Sequence, residues 1–243
     1  MFKAKINDVA SWKNSVDAIA VIIDEAVLKA TSDGLKLRAM DPSQIAMVDF
    51  FMPKEAFESY EVDEETDIGI NFSELNKITK RAKAEDKIEL SLDTKLKITF
   101  SGKTTRRFNH SLIELSGTLP KEPKIDFTSG VKLGATMLQD ALKDVELVSN
   151  HISLQIGENF SISAKGDTGA VDIDFPEDSI ISVNSTEPAR ATYALEYFNN
   201  LLKAATSATA VGIHMLSDAP VMIEYNIGEG KVIYYLAPRI ESI

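Results

Sequence analysis

The pattern of residues predicts an α+β protein built as two similar domains, and three observations carry that prediction. One order of helices and strands occurs twice along the 243 residues. Hydrophobic positions match between the copies at a nearly constant offset. A polar, proline-bearing stretch separates the copies, and each half is long enough to bury its own core. The boundaries that follow are 1–116 for the first domain, 117–127 for a connector and 128–243 for the second.

The first copy opens with Val9, Trp12, Val16, Ile19, Ala20 and Ile23, whose three- and four-residue spacing is that of an amphipathic helix. Two alternating strands follow, Ala26–Ala30 and Leu35–Ala39, parted by the turn residues Ser32, Asp33 and Gly34. A third strand runs through Ile45–Met52. Phe72, Leu75, Ile78 and Ala82 mark a second helix over 72–84, with Asn71 and Glu74 placed to cap its start. Strands Ile88–Leu92 and Leu96–Phe100 then pair across Asp93, Thr94 and Lys95.

The second copy keeps this order. Leu138, Ala141, Leu142, Val145 and Val148 define its first helix, and strands Ile152–Ile156, Phe160–Ala164 and Ala170–Phe175 follow. Leu195, Phe198, Leu201 and Ala205 stand 123 positions after the four markers of the earlier second helix. Val211, Ile213 and Met215 keep that offset from Ile88, Leu90 and Leu92, while Val221 and Ile223 stand 125 after Leu96 and Ile98. Between the copies, Pro120 and Pro123 with few apolar neighbours read as an extended connector.

Composition narrows the function. There is no cysteine, so disulfides and thiolate metal sites are excluded. A net charge of −11 speaks against a protein that simply coats nucleic acid; any phosphate contact must come from a local basic surface. The chain shows no apolar segment long enough to span a membrane and no signal-peptide pattern, so a cytoplasmic location is expected. His110, His151 and His214 lie in strand-like stretches without zinc-site spacing. No nucleophile-elbow or phosphate-loop motif occurs, and Gly228-Glu229-Gly230 reads as a hairpin turn. No cofactor and no catalytic role are expected.

The ending Tyr234-Tyr235-Leu236-Ala237-Pro238-Arg239-Ile240-Glu241 resembles the C-terminal signature of the proliferating cell nuclear antigen family, the DNA polymerase sliding clamps. Leu37-Arg38-Ala39-Met40-Asp41-Pro42-Ser43, Ala164-Lys165-Gly166-Asp167 and Asp218-Ala219-Pro220-Val221 are similar to it too, and the archaeal members are the most similar. The resemblance spans the whole chain. It implies a ring of three subunits around duplex DNA, with helices lining the hole and antiparallel sheets outside. It also implies a processivity factor that docks DNA polymerase, clamp loader, flap endonuclease and DNA ligase, located with the nucleoid. A ring holds DNA by topology, so weak, sequence-blind attraction suffices. A peptide-binding adaptor that never encircles DNA is the alternative.

Three sets of residues follow. Lys13, Lys77, Lys80, Arg81, Lys143 and Lys203 lie on the helices that would face DNA, Lys13 between Asp8 and Asp17 and Lys143 beside Asp140 and Asp144. By family position, Met40, Gln44, Met47, Pro123, Ile125, Pro220, Tyr235, Ala237, Pro238 and Ile240 would line a pocket for a glutamine-led helical peptide. The subunit interface would pair strand 107–115 with strand 169–175 of a neighbour, through Val171 and Ile173. There Arg81, Lys83 and Arg107 would face Asp140 and Asp144.

Overall fold

The structure, a computed structural model, describes residues 1–115, 119–167 and 169–239. The start of the expected connector and the pocket residue Ile240 lie outside the described residues. The chain divides into two compact units: residues 1–44, 48–120 and 226–232 form the first, and 45–47, 121–225 and 233–243 the second.

The first unit contains β1 (Phe2–Ile6), α1 (Val9–Ala20), β2 (Glu25–Thr31), β3 (Gly34–Met40), β4 (Ala46–Pro53, its first two residues clustering with the other unit), β5 (Phe57–Val62), β6 (Thr66–Asn71), α2 (Phe72–Thr79), β7 (Lys87–Leu92), β8 (Leu96–Ser101) and β9 (Thr105–His110). Five strands form an antiparallel sheet in the order β5-β1-β7-β8-β9, and the others follow one another as β4-β3-β2-β6. Residues 230–232 also belong to this unit and lie against β4, so close that a side-chain carbon on Gly230 would stand 3.4 Å from the Phe51 carbonyl.

The second unit contains β10 (Ser129–Gly134), α3 (Ala135–Glu146), β11 (His151–Ile156), β12 (Phe160–Lys165), β13 (Ala170–Phe175), β14 (Ser182–Ser185), β15 (Ala189–Ala194), α4 (Leu195–Leu201), β16 (Ala210–Met215), β17 (Val221–Ile227) and β18 (Gly230–Leu236), the last two passing partly into the first unit. Its strand orders are β14-β10-β16-β17-β18 and β13-β12-β11-β15. Each reproduces an order of the first unit with every strand advanced by nine. The two α+β domains are therefore copies in topology as well as in sequence pattern.

Burial explains the periodicities. Val9, Trp12, Val16 and Ile19 form the inner face of α1; Leu138, Ala141, Leu142 and Val145 do the same for α3. Leu75, Phe72, Phe198 and Leu201 are almost wholly inaccessible, and each such side chain contributes about 2 kcal/mol of burial free energy. The Asn71 side chain accepts the Glu74 N–H at 2.9 Å, capping α2 as its sequence indicates.

Several expectations need correction. Helix α2 stops at Thr79 rather than Ala84, because Arg81 and Ala82 turn back with N–H bonds to Ile78 and Thr79 carbonyls, a tighter winding that ends the helix. Strand β9 covers Thr105–His110, not 107–115. After His110 the chain leaves β8, and the Ile113 N–H donates to the Gly69 carbonyl of β6 at 3.1 Å. Gly69 permits this approach, since any β-carbon there would come within 1.9 Å of the Ile113 carbonyl oxygen. Strands β1, β5, β6, β10, β14, β15 and β18 were not resolved by hydrophobic alternation. Most are short, and β5 and β14 are edge strands whose outer residues bury little.

Candidate functional site

The basic helical face of the first unit is organised by α1 and α2. Asp8 caps α1, accepting from Ala10 N–H at 2.9 Å and from the Ser11 hydroxyl at 2.6 Å. Lys13 was placed by sequence between Asp8 and Asp17, yet its ammonium donates instead to the Ala82 carbonyl at 3.0 Å, just beyond the C-terminus of α2. A cation there meets carbonyls that no helical N–H satisfies. Asp17 is occupied by Lys80 at 2.8 Å and by the Asn76 amide at 2.8 Å. Lys77 and Arg81 are exposed, and the Lys77 ammonium has no ion-pair partner among the described residues. Lys77 and Arg81 are thus more available on this face than Lys13 and Lys80, which also tie α1 to α2.

In the second unit, α3 and α4 flank a groove of about 700 Å³ lined by Lys143, Lys203, Glu146, Glu196 and amide side chains. Lys143 bonds Asp140 at 2.8 Å, and that bond raises its pKa. Asp140 is therefore already engaged within its own helix. Asp144, like Lys203, is exposed. The two lysines of the groove are matched by its two glutamates.

The residues expected to form a peptide pocket divide by burial. Met40 is 41% exposed and Gln44, with φ of 58°, stands on an exposed turn of the first unit. In the second unit Met47 is only 2% exposed and Tyr235 6%, so these two supply packing beneath a surface and not the surface itself. Pro123, Ile125, Pro220, Ala237 and Pro238 are half-buried. The Ala237 N–H donates to the Ile45 carbonyl at 2.9 Å, and Ile45 is 39% exposed. The sequence marked Ile45 as the start of a strand and not as a pocket residue. Its position beside Met47 gave no alternation signal, because Ala46, Met47 and Val48 are all buried.

Among the described residues, edge strand β9 pairs only with β8 and edge strand β13 only with β12. Both show the same alternation of exposure, with Thr105, Arg107 and Asn109 outward on one and Ala170, Asp172 and Asp174 on the other. Val171 and Ile173 occupy the half-buried positions that alternate with the acids. Lys83 and Arg107 are exposed. Asp172 and Asp174 were not picked out from the sequence, since only the edge position gives an acidic alternation its meaning.

His110 is buried and held below its ordinary pKa by burial, partly offset by Glu74. His151 is lowered by burial and by the Arg239 cation that bonds its ring. His214 bonds Glu224 at 3.1 Å. Among the described residues no group of three or more His, Asp or Glu side chains is placed to hold a metal ion.

Comparison with known proteins converges on one family. Residues 1–116 match the model of the proliferating cell nuclear antigen N-terminal domain and residues 121–240 that of its C-terminal domain. The DNA polymerase sliding clamp of Methanococcus maripaludis strain S2 is 38% identical over the full length of both chains. That of Thermofilum pendens is 36% identical, covering 99% of this chain and 100% of its own. The solved structure described as the C-terminal region of FEN-1 bound to A. fulgidus PCNA superposes over both whole chains with a TM-score of 0.92 at 29% identity. PCNA from Thermococcus kodakaraensis shares the fold at a TM-score of 0.94 and 24% identity, over 98% of this chain and 100% of that one. With duplicated domains and edge strands of opposite charge on one chain, these matches leave a single assignment: the chain belongs to the proliferating cell nuclear antigen family of DNA sliding clamps, archaeal in type.

Proposed function

We propose that three copies of the chain close head to tail into a ring around duplex DNA and carry replication enzymes along it. The observation that supports this reading is the pair of edge strands. A β9 edge docking on a neighbour's β13 would set a strand bearing Arg107 against one bearing Asp172 and Asp174. Such a heterologous contact closes into a ring when the rotation fits.

The helices α1 to α4 and the turns that end α2 and α4 would then offer Lys77, Lys80, Arg81, Lys143 and Lys203 to phosphates, with Lys13 as a brace between helices. Apolar residues around Ile45, Ile125, Pro220 and Pro238, with Met40 and Gln44, would take a partner's short helical peptide. The A. fulgidus relative solved with the FEN-1 C-terminal region supports a flap endonuclease as one partner; DNA polymerase, clamp loader and ligase complete the proposed set.

The test is native mass of the purified chain, followed by retention on circular DNA. A species three times the 26.7 kDa chain, held on a nicked circle and released when the circle is linearised, is the expected outcome. A chain that stays monomeric at tens of micromolar, or one that leaves circular and linear DNA equally, would sink the ring.

A further inference from the structure

A second charged site lies in the second unit, away from the helices. Strand β15 is the edge of its four-stranded sheet opposite β13, and two segments lean on it. The Arg239 N–H donates to the Thr192 carbonyl at 2.7 Å, laying the C-terminal tail along the edge. The turn at Ser217 and Asp218 closes the other side: Asp218 N–H donates to the Arg190 carbonyl at 3.2 Å, and Arg190 N–H donates to the Ser217 hydroxyl at 3.2 Å. Buried Tyr193 fixes this turn by donating its hydroxyl proton to the Ala219 carbonyl at 3.0 Å. Between tail and turn is a cavity of about 650 Å³, lined by Arg190, Thr192, Ser217, Asp218, Pro238 and Arg239.

Its charge is unusual for a chain of net charge −11. The Arg190 guanidinium makes no ion pair among the described residues, and Arg239 bonds the His151 ring. Burial and the Arg239 charge favour the neutral form of that imidazole, so it accepts a hydrogen bond without cancelling the cation. Two guanidinium groups against one carboxylate leave one unit of positive charge in a preformed cavity.

We propose that Arg190 and Arg239 form a carboxylate site that receives an aspartate or glutamate side chain of a docked partner peptide. The guanidinium fork matches a carboxylate with two parallel hydrogen bonds. The same guanidinium groups would also draw a phosphate, so the experiment separates the two anions. Pro238 places the cavity next to the apolar residues proposed for peptide docking, so an acidic residue flanking the anchors can reach it while they are seated. This inference rests on that docking proposal.

The experiment uses the full chain and two synthetic peptides with a glutamine and aliphatic and aromatic anchors. One carries glutamates on both flanks, the other glutamines. In fluorescence anisotropy at low salt the acidic peptide is expected to bind roughly fivefold more tightly, as an exposed charge pair allows. Arg190→Gln should erase that advantage while leaving the neutral peptide's affinity unchanged, and added salt should do the same to the parent. An advantage that survives in Arg190→Gln, or a variant that weakens both peptides alike, overturns the site. Weakened duplex DNA binding by Arg190→Gln with no change in peptide preference overturns it in favour of a phosphate contact. Titration of labelled arginine side chains with N-acetylglutamate amide and with inorganic phosphate separates the two proposals. Glutamate-induced shifts at Arg190 and Arg239, with neither peptide binding, keep the carboxylate site and remove the docking pocket; shifts with phosphate alone reject the site.

Discussion

Asp86 illustrates what a single side chain holds together in this fold. It is 6% exposed, accepts the Lys83 N–H at 2.8 Å and pairs with the Arg106 guanidinium. Arg106 in turn donates to the Arg81 carbonyl at 2.9 Å and lies over the Phe100 ring at 5.2 Å. One carboxylate thus fixes the turn after α2 to strand β9, and it commits Arg106 inward while Arg107 stays exposed. Asp86→Ala leaves a half-buried guanidinium without its counter-charge, at an expected cost of about 3 kcal/mol in urea unfolding. A loss below about 1 kcal/mol would show that solvent replaces the pair. His110, at the end of the same strand, sets a pH dependence. Its folded pKa is depressed, so the unfolded chain takes up the proton first as pH falls through about 6.5. Stability is therefore full above that value and declines below it until the folded-state pKa is reached. Substituting His110 with Asn should flatten the decline between pH 7.5 and 5.5; an unchanged slope assigns it to other groups. The sequence placed His110 in a strand-like stretch without zinc-site spacing. It gave no sign of Asp86, whose role depends on a strand 20 residues away.

At the scale of elements, helix α2 separates two kinds of lysine that look equivalent in the sequence. Lys80 bonds Asp17 of α1, while Lys77 bonds nothing described. Lys77→Ala should leave thermal stability unchanged and lower the salt dependence of duplex affinity by roughly one unit for each phosphate that Lys77 neutralises in the parent. Lys80→Ala should do both: weaken DNA attraction and cost up to about 1 kcal/mol of stability, since the pair is 60% and 31% exposed on its two sides. An identical salt slope in parent and Lys77→Ala removes Lys77 from the DNA-facing set. The helices and the paired central strands were legible because one face of each is buried, and burial writes a period of 3.6 or 2 into the sequence. The edge strands β5, β9 and β14 were illegible or misplaced for the converse reason. Half their neighbours are missing, and polar residues such as Arg107 and Asn109 are tolerated there. The exact end of α2 escaped because Ala82 keeps the apolar spacing although its backbone has already turned.

For the whole molecule, the duplication was readable from the offsets, but the edges that would join copies were not, since an edge is a property of the finished sheet. Those edges make a specific demand on assembly. Exposed residues alternate identically on β9 and β13, so pairing the two strands places Arg107 on the same face as Asp172 and Asp174. Pairing β9 with β9 would instead bring arginine toward arginine, and β13 with β13 aspartate toward aspartate. In the proposed ring, charge would therefore favour the head-to-tail contact over either two-fold contact, the condition for closure with one chain type. Asp140 and Asp144, the acids first expected at this interface, are weaker candidates as a pair, because Lys143 already neutralises Asp140. Sedimentation at low micromolar concentration distinguishes the two acid sets. Asp172→Lys with Asp174→Lys should shift the proposed trimer toward monomer, by a larger margin at low salt than at high salt. Asp140→Lys with Asp144→Lys should shift it less. Adding Arg107→Glu to the first pair restores opposite signs across the joint and should recover trimer. A trimer indifferent to Asp172→Lys and Asp174→Lys at every salt concentration would mean that backbone pairing and the apolar residues Val171 and Ile173 hold the joint without the charges.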